Sequence, residues 1–319
     1  MNQCGRCNST ITAGFFCNPC LSFFSGFAEN HPAEPARSLP RLSVPLRQAT
    51  AGQVDSGWHE TVMVERGLSI GLRTNDSKLL RDFFSCLAPA SDLSYAETGD
   101  YRYSIDAHGR GYALSAGNRK IGVVDTRAEA IMSLLSHLHW KIAQSSRAYI
   151  FVRAGVVGWE GAAVVMPGLT FTGKTSLVIE LLRQGATYFS DEYAIFDSAG
   201  MVHPFARNLH VRSLGGTSRR MLPAGVFAAP NATARLPVGL LLFATYLPGA
   251  KWQSRRLTPG HALLGLLQNT ACMRRTPAEV LRSLSRVALS APAFAAERGE
   301  VRNAARRILR LVEAQRGRI

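Results

Sequence analysis

Ala162-Ala-Val-Val-Met166-Pro-Gly168-Leu169-Thr170-Phe171-Thr172-Gly173-Lys174-Thr175-Ser176-Leu177-Val178-Ile179-Glu180-Leu181-Leu182 joins two apolar runs through a segment that holds two glycines and a lysine. From Gly168 to Thr175 it fits G-x-x-x-x-G-K-[ST] in full. Ala162–Met166 is an apolar run that reads as a strand entering the loop, and Ser176–Leu182 reads as the helix leaving it. Strand, glycine loop and helix in that order are the frame of a phosphate-binding loop in an α/β protein. The chemistry accounts for the spacing. Glycines let backbone N–H groups curl around phosphate oxygens, and the helix N-terminus adds partial positive charge. Lys174 is placed to reach the β- and γ-phosphates, and the Thr175 hydroxyl to ligate Mg²⁺. The expected nucleotide site is therefore Gly168, Leu169, Thr170, Phe171, Thr172, Gly173, Lys174, Thr175 and Ser176, with ATP and Mg²⁺ as its ligands.

Downstream, Gly185 reads as the glycine that ends this helix, and Phe189–Phe196 as the next strand. That strand carries two adjacent carboxylates, Asp191 and Glu192. Adjacent strand residues point to opposite faces, so the pair can divide labour. One can hold Mg²⁺, with Asp191 the candidate to join Thr175, while the other accepts a proton from an attacking hydroxyl. The sequence leaves open which carboxylate takes which role. His203, Arg207 and Arg212 follow closely. An arginine near a transferring phosphoryl group can stabilise its charge, which makes Arg207 a candidate; a solvated basic segment is the competing reading.

Working outward, residues 58–319 read as one α/β region, divided into an α+β part over 58–147, a nucleotide-binding core over 148–250 and a basic helical part over 251–319. Gly67–Arg73, Tyr101–Asp106, Gly111–Leu114 and Lys120–Val124 read as short strands, with His108–Gly111 as a hairpin turn. Thr126 and Glu129 form a capping-box pair ahead of Ile131, Leu134, Leu135 and Leu138. Thr258-Pro259 and Thr276-Pro277 open two further helices, and Arg298–Arg316 reads as an amphipathic one. Asn269 and Thr270 read as cap and packing residues.

Residues 1–25 form a separate module. Cys4-x2-Cys7 and Cys17-x2-Cys20 are two knuckles that can set four thiolates around Zn²⁺. So short a segment has almost no core, and metal binding would supply most of its folding energy. Disulfides or a redox pair are the competing readings. Phe15-Phe16 and Pro19 resemble the short zinc-ribbon family, which implies a docking site for a protein or peptide. A closed four-cysteine site has no open position for catalysis. Residues 26–57 are proline-rich and irregular, and read as a linker. Cys86 and Cys272 sit in apolar runs and read as packing residues.

The loop and the acidic pair together carry a resemblance. Residues 149–212 resemble the HPr kinase/phosphorylase family, in particular its HPr-kinase-related serine kinase branch, and the resemblance extends more weakly over 60–315. It implies a mixed-sheet core similar to that of phosphoenolpyruvate carboxykinase. It further implies an ATP–Mg²⁺-dependent kinase acting on a serine-type hydroxyl of a peptide, protein or metabolite, and assembly into oligomers. Gly200–Arg212 also fits that branch. The chain departs from the family at three points. Glu192 stands where a second Asp is usual, Arg153 lies in the strand segment where a His is common, and the second signature segment is missing. Arg153 could still contact phosphate, and kinase activity is implied more strongly than its reversal. The contrasting expectation is a nucleotide-responsive scaffold without chemistry, gripping a partner through the zinc module and the basic C-terminal region.

Composition narrows the field. Hydrophobic residues make up 46% and charged residues 18%, which excludes a disordered chain. The net charge is +15 over 319 residues. Residues 1–200 hold 18 basic and 18 acidic side chains, and residues 201–319 hold 19 and 4, so the excess belongs to the C-terminal part alone. That excludes a histone-like protein. No helix-turn-helix or stacking signature accompanies the charge, which argues against nucleic acid as partner. No stretch approaches the roughly 18 apolar residues of a spanning helix. Met1-Asn2-Gln3-Cys4 lacks a signal-peptide pattern, and the expectation is a cytoplasmic protein.

Overall fold

Burial with a period of two along Leu68-Ser-Ile70-Gly-Leu72-Arg-Thr74 fixes the first sheet, with Leu68, Ile70, Leu72 and Thr74 turned inward. The computed structural model describes residues 52–54, 58–65, 68–87, 101–109, 111–169, 172–212, 219–222, 224–227, 229–271 and 277–316. The first sheet consists of β1 (Gly52–Val54), β2 (Trp58–Glu65), β3 (Leu68–Thr74), β4 (Tyr101–His108), β5 (Gly111–Ala116) and β6 (Arg119–Val124), side by side in chain order. Neighbours are antiparallel except β3 and β4, which run parallel from Ile70↔Tyr101 to Thr74↔Ile105. Parallel neighbours need a crossover, and α1 (Ser77–Cys86) lies on it. Asp76 caps α1 by accepting from the Lys78 and Leu79 amides. The expected capping box of Thr126 and Glu129 opens α2 (Arg127–Ser145). Leu79 and Phe83 of α1, with Ile131, Leu134, Leu135 and Leu138 of α2, bury one face of the sheet, and half-buried Cys86 packs beside them. The sheet begins earlier than the sequence suggests. Gly52–Val54 falls in the span that reads as linker, yet pairs with Trp58–Glu60.

The second sheet holds the loop. Its strands are β7 (Ile150–Trp159), β8 (Ala162–Pro167), β9 (Thr187–Ser190), β10 (Tyr193–Phe196), β11 (Val202–His203), β14 (Val238–Tyr246), β15 (Gln253–Arg256) and β16 (Ala293–Arg298). They run in the order β11-β10-β7-β8-β14-β16-β15, with β9 also on β7. A separate antiparallel hairpin joins β12 (Leu209–Arg212) to β13 (Arg219–Leu222). β8, β14 and β16 are mutually parallel. Strand alternation sorts the core into two layers. Val164, Met166, Leu240 and Leu242 pack with α3 (Lys174–Arg183) and α6 (Val301–Arg316). Ala163, Val165 and Leu241 pack with α4 (Pro259–Gln268) and α5 (Pro277–Ser290) on the other face. Helices on both faces of a mostly buried sheet are the solution an apolar parallel run demands.

The chain is thus a mixed α/β protein with two mixed sheets and six helices among the described residues. Residues 251–319 are more than a helical region. They contribute β15 and β16 to the main sheet, with β16 in register against β14 from Leu241↔Ala293 to Tyr246↔Arg298. α6 lies on α3, where Arg302 comes within 3.9 Å of Glu180. Phe151, Tyr193, Ile195 and Phe205 join α2 in one cluster, so the first sheet's helix layer is continuous with the second sheet. No helix among the described residues is long and apolar enough to cross a membrane. Cys4, Cys7, Cys17, Cys20, Cys272, Thr170, Phe171 and most of the 26–57 span lie outside the described residues.

Candidate functional site

The carboxyl ends of β8, β14 and β16 share one edge of the sheet, the edge at which parallel α/β sheets bind ligands. β8 ends at Pro167 and α3 begins at Lys174, so the loop expected from the sequence lies between a strand and a helix in the expected order. The Gly168 amide donates to the Arg153 carbonyl at 3.1 Å, which ties the loop's first residue to β7. A Cβ on Gly168 would lie 2.9 Å from Thr172 Oγ1, so another residue there would push that hydroxyl aside. Thr172 Oγ1 donates to the Leu169 carbonyl at 2.9 Å, and Lys174 Nζ donates to the same carbonyl at 2.6 Å. Gly173, at φ 78°, is the α3 N-cap and offers no side-chain acceptor to the first-turn amides. Ser176 is exposed on the first turn.

The acidic pair sits differently from the sequence expectation of a continuous strand. β7 pairs with β10 through Arg153↔Tyr193 and with β9 through Val156↔Ser190, and Asp191 and Glu192 form the break between those two short strands. Ser190 causes it: its Oγ accepts from the Glu192 and Tyr193 amides at 3.1 and 3.0 Å. A side-chain turn of this kind replaces the ladder locally. The two carboxylates then diverge into different surroundings.

Asp191 faces the start of α3. The Thr175 hydroxyl donates to its Oδ2 at 3.1 Å, and the buried Tyr188 hydroxyl donates to its Oδ1 at 3.1 Å. Burial and the Asp191 charge push the Tyr188 phenol far up, so it remains a donor. Glu192 faces α2, where His139 Nδ1 lies 2.8 Å from its Oε2. His139 is 3% exposed, packs edge-on against Phe205, and its Nε2 has no hydrogen-bond partner. Burial, with Arg153 adding repulsion, pulls the Lys174 ammonium down to about 8, while Asp191 and Glu192 oppose the shift. Lys174, Thr175, Asp191, Glu192 and Arg153 therefore converge on one site.

Arg153 places its guanidinium 5.8 Å from the centre of the Tyr193 ring. Arg207 is buried, lies 4.4 Å over the Phe205 ring, and is pulled down to about 9 by burial alone, which leaves it charged at neutral pH. His203 is turned away: it pairs with Asp197 at 2.9 Å, beside Arg235 on the same carboxylate. The Asn269 carbonyl accepts from the Arg153 amide at 2.8 Å, so the end of α4 is stitched to β7. Three site residues went unread in the sequence: His139, Tyr188 and Arg298. Arg298, at the end of β16, donates from Nη2 to the Gly173 carbonyl at 3.1 Å. Among the described residues no group of three or more His, Cys, Asp or Glu is disposed to hold a metal. A cavity of about 390 Å³ opens at the opposite end of β7, around Trp159, Thr187 and Phe189, remote from these groups. Neither the models of known protein families nor the curated proteins contain a match to the chain.

Proposed function

We propose that the chain is an ATP–Mg²⁺-dependent kinase with an HPr kinase-like phosphate-loop core, transferring the γ-phosphoryl group to a serine-type hydroxyl of a peptide, protein or metabolite. The observation that carries the reading is the Thr175 Oγ1–Asp191 Oδ2 contact at 3.1 Å, with Lys174 and Glu192 beside it. A hydroxyl and a carboxylate on adjoining elements form the hard-oxygen pair that suits Mg²⁺, which takes one or two protein oxygens and completes its shell with phosphate and water. Bound there, Mg²⁺ would neutralise charge on the phosphates.

The chain's own residues divide the remaining work. The amides of the loop and of the α3 first turn hold the phosphate oxygens, and Lys174 exchanges the Leu169 carbonyl for phosphate. Asp191, held by Tyr188 on its other oxygen, keeps its orientation toward Thr175. Glu192 is the base. As the acceptor oxygen bonds to the γ-phosphorus, the bond from that phosphorus to the bridging oxygen breaks. The hydroxyl proton passes to Glu192, and ADP leaves with the bonding pair. His139 acts through Glu192, as a positioning residue. Arg153 supplies positive charge from β7, where it already acts on Lys174. Arg207 has a weaker claim, because its guanidinium is stacked on Phe205. The Cys4, Cys7, Cys17 and Cys20 module is assigned to structural Zn²⁺ and to docking a protein partner.

The test is transfer from labelled ATP to co-expressed proteins and small hydroxyl acceptors, with products read by mass spectrometry. Wild type should transfer, and Lys174→Ala and the Asp191→Asn/Glu192→Gln pair should not. Equal transfer by all three, or ATP binding without any transfer by wild type, refutes the kinase reading; the second outcome favours the non-catalytic scaffold.

A further inference from the structure

Arg298 is only 3% exposed, at the end of a strand otherwise made of alanine, phenylalanine and Glu297. Its Nη1 donates to the Gly299 carbonyl at 3.2 Å and its Nη2 to the Gly173 carbonyl at 3.1 Å. The guanidinium carbon stands 5.1 Å from the Tyr246 ring centre, and Nε, also buried, has no hydrogen-bond partner. Among the described residues no carboxylate forms an ion pair with it. The Glu300 charge opposes the burial without cancelling it, and a buried cation held by main-chain carbonyls and an aromatic face keeps much of its desolvation penalty. Packing alone does not explain such a group, since an apolar side chain of similar volume would avoid that penalty.

The carbonyl it holds is a particular one. Gly173 O is also the acceptor of the first α3 hydrogen bond, from Leu177 N at 3.2 Å. In a planar trans peptide the C=O and the following N–H point in opposite directions. Fixing Gly173 O therefore fixes the direction of the Lys174 N–H, one of the loop amides that the motif turns toward phosphate. Gly173 is favoured on the same account. It lies at φ 78°, and a Cβ there would collide with Arg298 Nη2. The last glycine of the loop thus makes room for a guanidinium as well as for the turn.

We propose that Arg298 is a positioning residue of the phosphate loop, anchoring the Gly173–Lys174 peptide from the C-terminal strand and placing a buried positive charge behind the polyphosphate of a nucleotide. The inference rests on the nucleotide-loop reading above. The experiment compares full-length wild type, Arg298→Met and Arg298→Lys by calorimetric titration with ATP–Mg²⁺ and by amide hydrogen exchange without nucleotide. Loss of a charged hydrogen bond at the loop should weaken ATP binding about tenfold or more in Arg298→Met. Peptides covering 168–177 should exchange faster while those covering β16 and α6 keep wild-type rates. Arg298→Lys keeps the charge and one donor, and should recover part of the affinity. ATP affinity within about threefold of wild type in Arg298→Met overturns the inference. So does exchange that rises equally across β16 and α6, which marks a merely structural role. If Arg298→Met does not fold, Arg298→Lys decides: unchanged affinity and unchanged 168–177 exchange overturn the proposal. If wild type binds no nucleotide, the nucleotide reading fails, and the exchange data still report whether Arg298 anchors the loop.

Discussion

The Lys174 ammonium offers the sharpest quantitative test, because burial and the nearby Arg153 pull it from 10.5 to about 8. Asp191 and Glu192, at the break between β9 and β10, pull the other way, and the depression is what survives. A phosphate oxygen binds the ammonium and not the neutral amine, so nucleotide binding must take up a proton wherever the free lysine has lost one. The sign follows: affinity is highest well below pH 8 and falls as pH rises through it. With a free-state value near 8 and a fully protonated complex, the apparent Kd for ATP should rise about eightfold from pH 7.5 to pH 9. At pH 8.5 about three-quarters of a proton should be absorbed per nucleotide bound. Above pH 7.5 the terminal phosphate, with its second ionisation near 6, contributes little to this slope. Calorimetry in two buffers of different ionisation enthalpy measures the uptake directly. Lys174→Arg should flatten the curve, since a guanidinium does not titrate there. Arg153→Gln should move the midpoint above 8, because it removes a repulsion. Binding of ATP by wild type with a flat Kd and no proton uptake would refute the burial argument.

Other consequences are open to measurement. His139→Gln should lower kcat about tenfold with the KM for ATP unchanged, whereas Glu192→Gln should lower kcat about a hundredfold or more; equal effects on KM would place His139 in the nucleotide site. Thr175→Val should raise the Mg²⁺ concentration needed for half-maximal transfer, and the loss should be shared with Asp191→Asn instead of adding to it, as expected of contacting residues. Thr126→Ala removes the hydroxyl half of the α2 capping box while the residue-126 amide can still donate to Glu129, and should cost about 1 kcal/mol in urea unfolding. Purified full-length protein should carry about one zinc per chain, lost together with any co-purifying partner in Cys4→Ser/Cys7→Ser.

The loop was legible because its signal is local: two glycines, a lysine and a threonine at fixed spacing, between an apolar strand and an apolar helix. The helix openings at Thr126 and Thr258 were legible for the same reason, each being a side-chain cap within three residues of the amide that donates to it. What escaped depends on separation in the chain. His139 meets Glu192 across 53 residues and Arg298 meets Gly173 across 125, and no periodicity encodes such pairings. His139 did leave a trace. It falls on the same face as Leu135, Leu138 and Ile142, a polar group in a buried stripe, where a partner is required. In the sequence Arg298 reads as the start of the final helix, and Ala293-Phe-Ala-Ala shows no alternation to mark a strand before it. That strand is covered on both faces, and a strand so placed has none to show. β15 escaped for the opposite reason: all four of its residues are exposed, so no hydrophobic signal marks it. The break at Asp191 and Glu192 depends on the Ser190 hydroxyl taking two amides, a choice invisible to apolar patterning.

The structure also divides the C-terminal charge into two kinds. Arg255, Arg256, Arg306, Arg307 and Arg310 are exposed, where solvent and salt screen them within about 8 Å. Arg207 and Arg298 are buried, and burial works against the charge of each. Retaining a cation under those conditions requires something to offset the desolvation. For Arg298 the described contacts supply part of it: the Tyr246 ring, two main-chain carbonyls and the Glu300 charge. An anion held at the loop would supply the remainder for Arg298, by acting across the Gly173 peptide in a region of low effective dielectric. The same anion would lift Lys174 back toward its ordinary value. On the proposed nucleotide reading, a polyphosphate at the loop would offset the burial that works against both cations, Lys174 and Arg298, on either side of one peptide bond.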